Sequence, residues 1–249
     1  MNQNSMQSQD TKIYTIGFIG GIAYMFLGSL IYMIGYIATL SYIDPALGEL
    51  LKASLLAGEF PSDFVIVLFI TEIVPKFLLL GGLIYLFKKT WKIDALDAKI
   101  KWLRYAIYVL VGIILIVLST QVMSVLYEWI GIDGGSANQE LIETALNSPL
   151  RPLVFLLVVI LAPIFEELIF RKAMFGFVTM KLEYRKSTAL ILSTLLFALI
   201  HVPSMDNIIF IFYYLPLSFI ITYAYYKTDN ILVPIALHFL NNLISFIQV

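Results

Sequence analysis

The stretch Pro163-Ile164-Phe165-Glu166-Glu167-Leu168-Ile169-Phe170-Arg171 decides the reading of this chain. It sets two adjacent carboxylates and a guanidinium in the middle of residues 152–178, an otherwise almost wholly apolar run. A helix needs about 20 apolar residues to cross a bilayer, and this run has them. Each ionisable group at that depth costs about 2.5–3.5 kcal/mol on insertion scales. Three together need a reason, and the default reason is a buried functional site.

Outward from this stretch the chain stays apolar. Of its 249 residues 60% are hydrophobic and 13% charged, with mean hydropathy +0.90. A soluble domain is nearer half apolar and a quarter charged. The excess gathers into blocks of spanning length, which predicts an all-α polytopic transmembrane helical bundle, a single membrane domain over residues 1–249. The blocks place seven spans at about residues 13–40, 64–87, 103–129, 151–180, 187–202, 208–226 and 231–249. An eighth arises if the long first block breaks in two. The polar first dozen residues lack a basic n-region, and the apolar run after them is too long for a signal peptide, so it reads as an uncleaved first span. Without cysteine there is no disulfide and no thiolate nucleophile or ligand. No basic, aromatic-interleaved surface suggests nucleic acid as a partner.

The segments between spans orient the chain. Residues 41–63 read as a loop carrying Asp44, Glu49, Glu59 and Asp63 against Lys52 alone. Residues 88–104 form a basic connector, with Lys88, Lys89, Lys92, Lys99, Lys101 and Arg104 opposed only by Asp94 and Asp97. Trp91 and Trp102 bracket it as interfacial aromatics would. Gly134-Gly135 marks a turn, and residues 138–146 alternate at helical spacing, as a short interfacial helix does. Pro203 closes span 5. Of the 16 Lys and Arg residues, 11 fall on one side, which predicts a cytoplasmic N-terminus. Glu72 and Lys76, at i and i+4 in span 2, read as a self-neutralising pair facing the bundle, with substrate contact as the alternative.

Polar groups concentrate in spans 4, 5 and 7. Span 4 carries Glu166, Glu167 and Arg171; span 5 ends Phe197-Ala198-Leu199-Ile200-His201; span 7 holds His238-Phe239-Leu240-Asn241-Asn242. The only two histidines in the chain both belong to this set. Glu167 and Arg171 lie about 40° apart on one helix face, as do His238 and Asn242, while Glu166 is about 100° round from Glu167. One carboxylate can therefore face a cavity while the other braces Arg171. A lone His or Asn in a span is commonly interhelical glue. Six such groups in three spans are harder to explain that way.

With no cysteine and no serine beside an evident base, the nucleophile is water. A glutamate and a histidine can deprotonate it. Alternatively Glu166, His201 and His238 hold a divalent metal such as zinc, since three N/O ligands and an open position acidify bound water. The second histidine and the Asn amide can supply an oxyanion hole. Such a set hydrolyses an acyl bond, and in a membrane that bond is a peptide.

These residues carry a resemblance. The chain resembles the CPBP family, also called the Abi or CAAX-protease-like family, which includes type II CAAX prenyl endopeptidases and bacteriocin-processing or immunity proteins. Its motif Glu-Glu-x-x-x-Arg falls on Glu166, Glu167 and Arg171, Phe-x-x-x-His on Phe197 and His201, and His-x-x-x-Asn on His238 and Asn242. The similarity covers about residues 138–242, and the protease-like core is set at 138–249. The resemblance implies an intramembrane endopeptidase of the metallo- or glutamate type. In it, Glu166 with His201 activates water, Glu167 and Arg171 brace the site, His238 and Asn242 line the oxyanion hole, and Phe197 packs beneath. The implied partners are membrane lipid and a peptide or lipidated protein, in a bacterial plasma membrane. Two other classes stay open: an immunity or scaffold protein that binds without cutting, and a transporter using the same charges as a relay. Counting inward at about 1.5 Å per residue places His238 about 10 Å deep and His201 about 20 Å or more. Convergence then calls for a steep tilt of span 5, or for a start outside the bilayer.

Overall fold

A computed structural model describes residues 10–57, 62–132, 137–202 and 205–248. The first nine residues, the turn at Gly134-Gly135 and the stop at Pro203 lie outside the described residues. The described chain is helical from end to end: α1 (Asp10–Ile43), α2 (Pro45–Ala57), α3 (Ser62–Leu86), α4 (Lys88–Ile100), α5 (Trp102–Trp129), α6 (Ala137–Leu146), α7 (Arg151–Lys181), α8 (Lys186–Ile200), α9 (Ile211–Thr228) and α10 (Leu232–Gln248). A 3₁₀ turn, Met205–Phe210, leads into α9.

Five of the seven expected spans are long and apolar enough to cross a membrane. The other two, α8 with 15 residues and α10 with 17, are shorter; His201 is the C-terminal cap of the first and His238 lies on the second. A 15-residue helix reaches about 22 Å, short of a hydrocarbon core of about 30 Å. The first span does not break: α1 runs 34 residues with π-helical turns at Ile16–Gly20 and Tyr24–Gly28, so the eighth span drops out.

Two segments read as connectors are helices. In α2, Leu51 is buried against Met33, Ile37 and Val67, with Leu47 packed alongside. Its acidic count had hidden that periodicity. In α4, single non-helical residues, Phe87 and Lys101, form the corners that join it to α3 and α5. The short helix expected at residues 138–146 is present as α6.

The core sits on α7. Of its most apolar window 61% is buried, against 11% for α5, so α7 runs through the centre and α5 lies on the perimeter. The outward leucines, isoleucines and valines of α5, such as Leu110, Ile114, Leu118 and Val122, suit lipid contact. Around α7, Phe165, Leu168, Ile169, Phe170 and Met174 pack with Leu80, Leu83 and Phe87, and with Ala189 and Phe197. Small residues allow close approach. A Cβ on Gly176 would collide with the Tyr14 ring, and one on Gly112 would stand 2.7 Å from Leu237. Gly17 and Gly21 are equally tight against Phe87 and Ile169, whereas Gly35 faces open space.

At one end of the bundle a polar network joins α4 to the centre. Lys172 donates to Asp94 Oδ2 at 2.9 Å, and Asn230 Nδ2 donates to the Asp94 carbonyl at 2.7 Å. Burial pushes the Asp94 carboxyl above its usual range, and Lys172 pulls it back. Next to it, hydrogen bonds from Lys101 and Tyr105 hold the Asp97 carboxyl below the usual range. Lys186 pairs with Asp229 at 3.1 Å, tying the start of α8 to the turn before α10.

Candidate active site

The motif residues come from three elements that meet at one ring. Phe197, fully buried on α8, stacks beneath the Arg171 guanidinium at 4.1 Å. The same ring lies 4.5 Å from the His201 ring and 5.6 Å, edge on, from that of His238. Phe170 packs edge on against it at 5.4 Å. Phe197→Leu keeps an apolar side chain but gives up some volume together with the cation–π and ring contacts, so stability should fall by about 1–2 kcal/mol. Thermal denaturation in detergent would measure that fall.

Beneath the site lies a closed charge group. Glu167 and Arg171 have no solvent exposure. Glu167 Oε1 accepts from Arg171 Nη1 at 3.0 Å and from His238 Nδ1 at 2.8 Å. The guanidinium also reaches Ser218 of α9, at 3.4 Å to Oγ and 3.5 Å to the carbonyl. A π-helical turn, Leu168–Ala173, carries Arg171, and such turns often mark functional positions.

Above that layer Glu166, His201, His238 and Asn242 line one cavity of about 670 Å³. Glu166 Oε2 stands 3.9 Å from His201 Nε2 and has no hydrogen-bond partner of its own. His201 Nδ1 lies 2.7 Å from the Phe197 carbonyl. A carbonyl only accepts, so Nδ1 carries the hydrogen, and a neutral ring turns the lone pair of Nε2 toward Glu166. The same bond folds the His201 ring back over the preceding turn. That leans it toward the α8 start, which narrows the apparent depth mismatch with His238.

His238 follows the same logic. Its Nδ1–H is committed to Glu167, so the ring keeps Nε2 as its remaining polar atom, an acceptor when neutral and a donor as imidazolium. Asn242 Nδ2 donates to the Val158 carbonyl at 2.9 Å, and its Oδ1 accepts from Asn241 at 3.0 Å, which leaves one amide hydrogen uncommitted. Glu167 and Arg171 are not among the residues that line the cavity. Among the described residues no group of three or more His, Asp or Glu side chains stands in position to hold a metal ion. The trio of Glu166, His201 and His238 therefore does not form a three-ligand set here.

Sequence reading overlooked several contributors. Ser218 holds Arg171, and its Oγ in turn donates to the Thr194 carbonyl at 3.0 Å. The Tyr214 ring packs 5.0 Å from His201. The hydroxyls of Ser193, Thr194, Ser218 and Thr222 in apolar spans were the available signal. Glu72 and Lys76 pair at 3.1 Å as expected, and both line the cavity facing the motif residues.

Comparison with known proteins bears on this arrangement. The family model described as Type II CAAX prenyl endopeptidase Rce1-like matches residues 148–244, a range that contains all seven motif residues. The chain is 32% identical over 165 residues to UPF0177 protein YxdF of Lactococcus lactis subsp. lactis (strain IL1403), across 63% of this chain and 85% of that protein. It is 38% identical over 85 residues to UPF0177 protein YbdI of the same strain, across 34% of this chain and 42% of that protein. It is 32% identical over 91 residues to membrane-embedded CAAX protease MroQ of Staphylococcus aureus (strain USA300), across 36% of this chain and 37% of that protein. The chain thus spans less than half the length of the last two. No solved structure matches it significantly.

Proposed function

Because this multi-pass membrane protein belongs to the CAAX-protease-like family of intramembrane proteases, we propose that it hydrolyses a peptide bond in a membrane-anchored or lipidated substrate, with Glu166 and His201 activating the water. The observation that carries this reading is the facing pair in the cavity wall: Glu166 Oε2 without a partner, 3.9 Å from the open Nε2 of His201.

That separation is too long for a direct hydrogen bond but admits one water touching both atoms at about 2.8 Å. Both neighbours are acceptors, so such a water donates one hydrogen to each and turns its lone pairs into the cavity. Glu166 takes the proton as the water oxygen attacks the scissile carbonyl, and returns it to the leaving amine. Asn242 offers its uncommitted amide hydrogen to the oxyanion, and His238 assists through Nε2 when that atom carries a proton. Glu167 fixes the His238 ring, and Arg171 fixes Glu167. Each of these steps is carried by the chain's own side chains. A cavity of about 670 Å³ has room for a short peptide segment. The excess of Lys and Arg on one side supports a cytoplasmic N-terminus.

The test is proteolysis of a lipid-anchored peptide by the purified protein in vesicles, read by mass spectrometry, with and without a chelator. Cleavage that stays within about twofold after chelation is expected. Absence of cleavage from every anchored peptide would favour a binding or immunity role. Loss on chelation with recovery on adding zinc would replace the glutamate route by a metal one.

A further inference from the structure

Helix α4 has two faces with different partners. On its inner face Asp94 is 6% exposed and receives the Lys172 ammonium at 2.9 Å. Its carbonyl holds Asn230, and its Oδ2 lies 3.5 Å from the Ile231 amide. Lys172 directly follows Arg171 on α7, and Asn230 and Ile231 form the turn that leads directly into α10. One residue of α4 is thereby fastened to the helix of Glu166, Glu167 and Arg171 and to the helix of His238 and Asn242.

On its outer face Ile93, Leu96 and Ile100 are 63%, 62% and 81% exposed. At 100° per residue they form a strip about 60° wide. Lys88, Lys92 and Lys99, all exposed, fall within about 40° of one another along one border of that strip. Lys89 lies in the strip itself. Lys89, Lys92 and Lys99 make no ion pair among the described residues. Trp102, 65% exposed, and Leu103 continue the apolar edge just past the corner. A face of this kind fits neither water, which the isoleucines and leucine oppose, nor the hydrocarbon core, which the lysines oppose. It fits the headgroup layer between them, where apolar side chains enter the acyl boundary and ammonium groups meet phosphate.

We propose that α4 binds anionic phospholipid headgroups, and that this contact, passed through Asp94 to α7 and α10, sets the rate of the site. The occupant is the lipid of the leaflet on the basic side; charge complementarity and the exposed apolar strip select it. The claim about rate rests on the proteolytic reading above, whereas the claim about binding does not. Asp94 is a positioning residue: it touches no residue of the cavity wall, and acts through Lys172 and Asn230.

The experiment reconstitutes the full chain in vesicles of neutral phosphatidylcholine, or with about a third phosphatidylglycerol. Two quantities are read: cleavage rate, and quenching of Trp91 and Trp102, in a Trp129→Phe background, by an equal share of brominated lipid that is phosphatidylcholine in the neutral vesicles and phosphatidylglycerol in the anionic ones. Wild type should be quenched more strongly in anionic vesicles and cleave at least threefold faster there. High salt should erase both gains, since screening shortens the reach of exposed charges. The triple variant Lys88→Gln, Lys92→Gln and Lys99→Gln should lose both, and the triple Lys→Arg variant should keep them. The double variant Asp94→Asn, Lys172→Met removes both charges together. It should keep the quenching while its rate no longer responds to lipid. Equal quenching in the two vesicles overturns the binding claim. A strong quenching difference with a flat wild-type rate overturns the coupling. Displacement of the quenching by free phosphate or a poly-glutamate peptide at equal charge would assign the face to another anion and overturn the lipid as occupant. If no vesicle supports cleavage, the proteolytic reading fails, and the quenching arm still decides the surface.

Discussion

Glu166→Gln should abolish proteolysis while leaving the fold intact. The amide keeps the size of the carboxylate but cannot take a proton from water, and a positioned general base is worth about 10²–10⁴ in rate. A fold effect is not expected, because Glu166 Oε2 has no hydrogen-bond partner in the protein and its side chain keeps 14% exposure at the cavity wall. Most buried carboxylates lack that combination: removing them strips a partner from some other group and lowers stability together with activity. Here the two should separate. Single-turnover cleavage of an anchored peptide should fall at least a hundredfold, and the melting temperature in detergent should stay within about 2 °C of wild type. A variant that still cleaves within tenfold of wild type would remove Glu166 from the reaction and transfer the burden to His201 alone.

The contrast between Glu166 and its neighbour also shows how far the sequence could be read. Adjacent residues on a helix diverge by about 100°, so one carboxylate facing a cavity and the other facing Arg171 followed from spacing alone. The apolar blocks likewise marked seven spans, five of them long enough to cross a membrane, because length and hydropathy are local properties. Other features depend on contacts distant in sequence. Nothing near Glu167 announces that His238 will bind it, and nothing near Asn242 announces the Val158 carbonyl. Ser218, which supports the guanidinium, is an unremarked serine in an apolar run. Helices α2 and α4 were hidden for a different reason: their charge counts suggested loops, while Leu47 and Leu51, or Ile93, Leu96 and Ile100, held the helical period. The hydrogen positions on the two imidazoles came only from their acceptor neighbours, the Phe197 carbonyl and the Glu167 carboxylate.

Arg171→Met should be the most destabilising single change in the site. The guanidinium is fully buried over the Phe197 ring and neutralises Glu167, which is itself fully buried. Methionine fills much of the same space but leaves the Glu167 charge with His238 as its one partner at hydrogen-bond distance. Breaking a buried ion pair from one side costs about 3–5 kcal/mol, because the surviving charge stays out of water without compensation. Removing both charges is far milder, and well-packed replacements of such pairs are often close to neutral. The double variant Arg171→Met, Glu167→Gln should therefore recover most of the lost stability. It should not recover activity: a Gln amide gives His238 Nδ1 no charged acceptor, so the imidazolium form loses the partner that favours it. Thermal unfolding of wild type, both single variants and the double variant closes the thermodynamic cycle, and cleavage assays on the same four proteins test the second half. A single Arg171→Met variant within about 1 kcal/mol of wild type would mean that Glu167 is not carried as a buried anion. The layer beneath the cavity would then be neutral packing rather than the charged brace that orients His238.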